Sequence, residues 1–205
     1  MKKRKLNIKR ITILVLTLVA LMVAIFIILK MTKPAIEPKD PKVISEINGY
    51  ILKEGASAYF KNVFSELETE LSKEEVDEKK YAEIISKLFI SDCFTLSNKM
   101  NHNDVGGVQF VYEQFQNDYI SIARETLYNS IENDIYGNRK QELPTVKNVV
   151  IKSFEEDTYE YGETEDKKAY IVVATIEYDK DLDYPEEVSL VIIHSNNKLE
   201  IAKMD

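Results

Sequence analysis

Residues 11–29, "ITILVLTLVALMVAIFIIL", are 19 consecutive positions without a charged side chain, directly behind "MKKRKLNIKR". An apolar segment of this length must be buried in lipid or in protein, so it constrains the chain more than any other feature. As a helix it would span roughly 28 Å at about 1.5 Å per residue, close to the hydrocarbon thickness of a bilayer. Its only polar side chains, Thr12 and Thr17, can bond back to the preceding turn. A cleaved export signal has an apolar core of about 7–15 residues and then a small-x-small site. This run is longer and leads into Lys30-Met31-Thr32-Lys33-Pro34, with neither such a site nor a cysteine for lipidation at its end. It predicts an uncleaved transmembrane signal anchor over 11–29.

The flanks predict the orientation. Lys2, Lys3, Arg4, Lys5, Lys9 and Arg10 precede the run without an acid among them, whereas Lys30, Lys33, Lys39 and Lys42 are mixed with Glu37 and Asp40. The positive flank stays inside. The expected layout is a cytoplasmic basic tail over 1–10, the anchor over 11–29, a proline-rich linker over 30–42 and an extracytoplasmic domain over 43–205. Such a chain is a single-pass protein of the cell membrane.

All 35 acidic residues but only 20 of the 27 basic ones lie beyond residue 30, so the outer part carries about −15. That charge excludes nucleic acid as its partner, because phosphate neutralisation needs clustered Lys and Arg. The basic tail fits topology and anionic lipid. A single cysteine, Cys93, rules out an internal disulfide, and its place in "LFISDCFTL" predicts a small buried apolar residue rather than a nucleophile. Pro34, Pro38 and Pro41 make the linker extended and semi-rigid, a spacer that lifts the domain off the bilayer.

Helical spacing of Ile47, Ile51, Tyr59, Val63 and Leu67 predicts a first helix over 43–71, with Gly55 as its weak point. A second is expected over 73–98, its N-terminus capped by Ser72 with Glu75 as the capping-box acid. The stripe Val108, Val111, Tyr112, Phe115, Tyr119, Ile122 and Leu127 predicts a third over 106–133. After Pro144 the period changes to two. "TVKNVVIKSFEE", "KKAYIVVATIEYD", "EEVSLVIIHS" and "NKLEIAKM" read as four strands of an antiparallel meander. The middle two are apolar on both faces, so helices must cover one side and a folded-over helix, a partner chain or a ligand cavity the other. The fold class is α+β: one N-terminal transmembrane helix, then three helices on a curved antiparallel sheet of about four strands.

That order of elements resembles the cone-shaped fold of nuclear transport factor 2 and its cystatin-like relatives. A short basic tail, an anchor, a spacer, helices and then strands also resembles the membrane-anchored assembly proteins of type IV secretion and conjugation machines. "NDVGGVQFVY" and "YGNRKQELP" are similar to segments of uncharacterised single-anchor proteins of Gram-positive bacteria. The resemblance to secretion proteins implies a non-enzymatic scaffold in an envelope assembly, with membrane or envelope proteins, or further copies of itself, as partners.

The sequence offers no catalytic set, metal site or cofactor site. Asp179, Asp181 and Asp183 in "YDKDLDYPEE" begin like a calcium loop, but Tyr184 stands where its turn glycine belongs and Leu190 where a bidentate acid is needed. They read as a polar hairpin loop, and the acid-rich "FEEDTYEYGETED" reads as a solvated turn. No G-x-S-x-G, H-E-x-x-H, paired cysteines or phosphate-binding glycine loop accompanies His102 or His194. Gly106-Gly107 could open an anion site at a helix start, although Asp104 opposes it and a turn role fits better. Asp92, on the second helix stripe, reads as a hydrogen-bonded structural acid, or else as the acid of an enzyme cone. Tyr112, Phe115, Tyr170 and Ile193 are the candidates for lining a groove between helices and sheet. The functional expectation is a membrane-anchored, non-enzymatic interaction or scaffold domain. The alternative is a ligand-binding or sensory module with its pocket between helices and sheet.

Overall fold

The computed structural model describes residues 8–31 and 41–205, which fall into two units, 1–38 and 39–205. The basic tail expected over 1–10 and the linker expected over 30–42 lie largely outside the described residues. The described residues of the first unit form a helix, α1 (Ile8–Met31), which encloses the whole charge-free run. Of this helix, side chains are described at 15–26. Among the described residues no helix is long and apolar enough to cross a membrane.

The second unit is α+β. It opens not with the helix expected over 43–71 but with an antiparallel hairpin, β1 (Val43–Ile47) and β2 (Tyr50–Lys53). The turn between them is Asn48-Gly49, both at positive φ (49° and 78°), the pair that two-residue hairpins favour. Ile47 and Ile51 matched a helical stripe only by coincidence of spacing. Tyr50 anchors the hairpin: it is fully buried, donates to Leu199 O at 2.6 Å and stacks on Phe110 at 5.5 Å. The Gln109 side-chain amide brackets the backbone of Ile51, accepting from its N–H (2.7 Å) and donating to its carbonyl (3.1 Å).

Helix α2 (Ala58–Leu71) then starts at Ser57, whose hydroxyl accepts the Phe60 N–H. Ser72 closes α2 instead of capping the next helix; its hydroxyl donates to Glu68 O at 2.6 Å. The cap of α3 (Glu78–Phe94) is Asp77, accepting from Lys80 N. Glu70, without exposed surface, organises the connection by taking Lys73, Lys80 and the Asp77 N–H. The hydrogen bond from Lys73 is the first cause that holds its carboxyl down to about 2.

The third helix expected over 106–133 is broken into two 3-10 turns (Val108–Phe110 and Glu113–Phe115) and α4 (Gln116–Glu125). Between the turns, Val111-Tyr112 lies extended and pairs with a strand: Tyr112 N donates to Ile201 O at 2.9 Å. An available sheet edge overrides the helical pattern there.

The four expected strands are present as a meander, β3 (Val146–Tyr161), β4 (Thr164–Tyr178), β5 (Glu187–Ser195) and β6 (Lys198–Met204), in the order β3-β4-β5-β6. The acid-rich segment is not a loop. It continues β3 and β4 into a long hairpin that turns at Gly162, φ 61°. One face of the sheet carries Tyr170, Val172, Ala174, Ile176, Leu190 and Ile192 against α2 and α3, where Phe64, Leu67, Ile85, Leu88 and Phe89 are buried. The second face carries Ala169, Val191 and Ile193, and it is covered by the chain's own hairpin and the extended segment: Tyr159, Tyr161 and Tyr112. Register shifts at Ile151/Ser153 and Asp157/Tyr159 bend β3 and let the rings reach across, with Tyr112 and Tyr161 edge to face at 5.3 Å.

Candidate functional site

The break at Gly107 builds the site. Gly106 and Gly107 let the loop lie on the C-terminal end of α3, since a Cβ at Gly106 would stand 2.0 Å from Asp92 O, and Gly107 has φ 78°. Three hydrogen bonds hold it there. Gly106 N donates to Tyr128 Oη (3.0 Å), Tyr119 Oη donates to Gly106 O (2.7 Å) and Gly107 N donates to Asp92 Oδ2 (2.8 Å). The Gly107 N–H is therefore spent on Asp92, and the glycine pair serves the turn. Asp92 also binds Lys99 Nζ at 2.8 Å. Burial pushes its carboxyl up, but the Lys99 ammonium and the hydrogen bonds from Lys99 and Gly107 outweigh that, and the net direction is down.

On one side of this joint, α4, the end of α3 and the edge of β6 enclose a groove of about 370 Å³. Its walls are mostly apolar: Phe89, Phe115, Ile122, Leu127, Ile201 and Met204. Ile122 is 62 % exposed, an unusual position for so large an apolar side chain. Asp118 and Lys203 are its charged lining residues. Cys93 lies on its inner wall with Tyr119 Oη at 3.2 Å, and burial pushes the thiol up to about 12. A thiol so placed is protonated and unreactive.

The groove borders an open strand edge. Asp205 and Ser189 exchange two backbone hydrogen bonds of 2.9 Å. In an antiparallel ladder the neighbouring residue turns its N–H and C=O the other way. Met204, paired with Leu190, thus presents its backbone away from β5. A few residues along the same edge, Ile201 O is already taken by Tyr112.

Of the four residues singled out in the sequence, Phe115 lines this groove. Tyr112 packs edge to face on Phe115 at 5.3 Å, and Ile193 belongs to the cluster that Tyr112 covers. Tyr170 is on the opposite face of the sheet, in the main core, 4.9 Å from Phe154 and 5.4 Å from His194 by ring centroids. Ile122, Ile201 and Met204 were not singled out. Ile122 stood on the apolar stripe of the longer helix expected over 106–133, but in α4 it is exposed.

His194 has partners the sequence did not reveal. Its Nδ1 lies 2.9 Å from Asp166 Oδ2, which also accepts its backbone N–H at 2.7 Å. Burial pushes the Asp166 carboxyl up, but the His194 and Lys168 N–H groups and the imidazole bring it below its usual range. The group facing Nε2 is Glu78, at 4.0 Å, which accepts from Tyr170 Oη at 3.2 Å. An oriented imidazole is present, yet what it faces is a carboxylate rather than a hydroxyl nucleophile. His102 is exposed in its turn. Asp179 accepts the Thr145 N–H at 2.8 Å and Asp181 accepts that of Asp183, so these acids shape the loop. Among the described residues no three His, Cys, Asp or Glu side chains gather as a metal site. No family model, curated protein or solved structure matches the chain.

Proposed function

We propose that the chain is a single-pass membrane protein with a cytoplasmic N-terminus, whose extracytoplasmic domain is a non-enzymatic interaction module of an envelope assembly. The charge-free run inside α1, behind six basic residues, supports the anchor and its orientation. The observation that carries the module is the apolar groove beside the open edge of β6. Its occupant is an extended apolar segment of another envelope protein. Such a segment would add a strand at Met204 and lay alternate side chains between α4 and β6. The chain's own Val111-Tyr112 already docks on this edge in the same manner.

The test is a photo-crosslinking amino acid at Ile122 in full-length protein in intact cells, alone and combined with Met204→Pro, which removes the outward N–H. An adduct heavier than the chain that disappears with Met204→Pro is the expected result. Lack of an adduct, or an adduct indifferent to Met204→Pro, overturns the reading. The volume of the groove also falls in the range of small-molecule pockets, which favours a ligand-binding module as the second reading. An apolar small molecule that competes away no protein adduct but protects position 122 from labelling would select it.

A further inference from the structure

A second concavity, of about 260 Å³, opens on the other side of the glycine joint, between β2, the start of α2, the end of α3 and the loop from 98 to 109. Phe60, Val105, Val108 and Ile51 give it apolar walls. Its polar groups are unevenly satisfied. Asp92 spends both oxygens on Lys99 and the Gly107 N–H, and Asp104 accepts the Met100 N–H at 2.9 Å. Lys99, only 6 % exposed, carries three donors, and among the described residues its Nζ bonds Asp92 Oδ1 alone. Ser91 also lines the cleft; it is 1 % exposed, and among the described residues its hydroxyl has no hydrogen-bond partner. A buried hydroxyl left unpaired is costly, so a bound acceptor would relieve it.

Two further features attract negative charge. Lys53 lines the rim, so two ammonium groups stand near Asp92. Gly55, Ala56 and Ser57, which lead into the 14-residue helix α2, form part of the wall. The first turn of such a helix leaves N–H groups without intrahelical partners and carries partial positive charge. Lys99 and Ser91 therefore keep donors without acceptors among the described residues, while Asp92 and Asp104 are each engaged through at least one oxygen.

We propose that this cleft binds a small organic monoanion with an apolar body, a monocarboxylate. Its carboxylate is held by Lys99, Lys53 and the Ser91 hydroxyl beside the N-terminus of α2, and its body lies against Phe60, Val105 and Val108. The site is separate from the groove and does not depend on what the groove takes.

Thermal unfolding of the full chain in a neutral maltoside detergent tests this, with hexanoate as the probe and hexan-1-ol and inorganic phosphate as controls at constant ionic strength. Two variants keep the fold. Ser91→Ala deletes a hydroxyl that bonds nothing, and Lys53→Met changes an exposed side chain. Hexanoate is expected to raise the unfolding midpoint saturably and hexan-1-ol and phosphate are not, with about tenfold weaker half-saturation in each variant. An unmoved midpoint with hexanoate, an equal rise with phosphate, or unchanged half-saturation in both variants overturns the proposal.

Discussion

Gly106→Ala tests the joint on which both concavities depend. The added methyl would meet Asp92 O at 2.0 Å and Lys99 Nζ at 2.6 Å. The lysine tip can swing aside, but Asp92 O is backbone in the last turn of α3 and cannot, so the loop has to retreat by more than 1 Å. A shift of that size exceeds the tolerance of hydrogen bonds of 2.7–3.0 Å. Two bonds to tyrosine hydroxyls are worth about 1 kcal/mol each, and the bond from Gly107 to the Asp92 carboxylate about 1.5–3 kcal/mol. The loss is about 3–5 kcal/mol, a large part of the about 5–15 kcal/mol that stabilises a domain. At about 2–4 °C per kcal/mol for a domain of this size, the midpoint should fall by roughly 10 °C. Urea unfolding followed by tyrosine fluorescence and circular dichroism gives the free energy directly. Gly55→Ala is the control, because its Cβ meets nothing within 4 Å and its φ is not positive. If Gly106→Ala lay within 1 kcal/mol of the parent, the joint would not hold the loop and the reasoning would fail.

The remaining predictions concern ionisable groups. Glu70 titrates in the folded chain near 2 rather than at the ordinary 4.5, so its contribution is complete above about 4.5 and is lost as pH falls toward 2. Glu70→Gln should lower stability at neutral pH and flatten the acid limb of an unfolding titration; an unchanged acid limb would refute the role assigned to the Lys73 pairing. Cys93, pushed up to about 12 and fully buried, should resist maleimide in the native protein at neutral pH and react once unfolded. Native labelling at the rate of a free thiol would contradict the packing against Tyr119.

The legible parts of the fold were those with one dominant local signal. The pattern after Pro144 is enough to place four strands, because buried positions recur every second residue from Tyr170 to Ile176 in β4, and β5 is a short run, apolar on both faces, bounded by polar turns. The hairpin at Asn48-Gly49 carried a signal too, but five apolar residues at helical spacing outweighed a dipeptide. The break at Val111-Tyr112 had none of comparable strength. Val108, Tyr112, Phe115 and Tyr119 do recur as a helix would, and only the unpaired edge of β6, some ninety residues away, makes an extended backbone the better solution. The same distance hides the groove: Phe115 and Tyr170 were grouped on residue type, and the fold places Phe115 at the groove and Tyr170 on the opposite sheet face.

By itself the sequence determined the charge-free segment, the acid excess beyond it, the meander and the buried character of Cys93, because each depends on residues close together along the chain. Tertiary structure alone decided that a tyrosine-bearing hairpin covers the second sheet face, that Asp92 is neutralised by Lys99 and that a groove and a cleft flank Gly106. Those outcomes turn on which distant surfaces meet, and backbone groups that no neighbour satisfies find their partners only once the whole chain has packed.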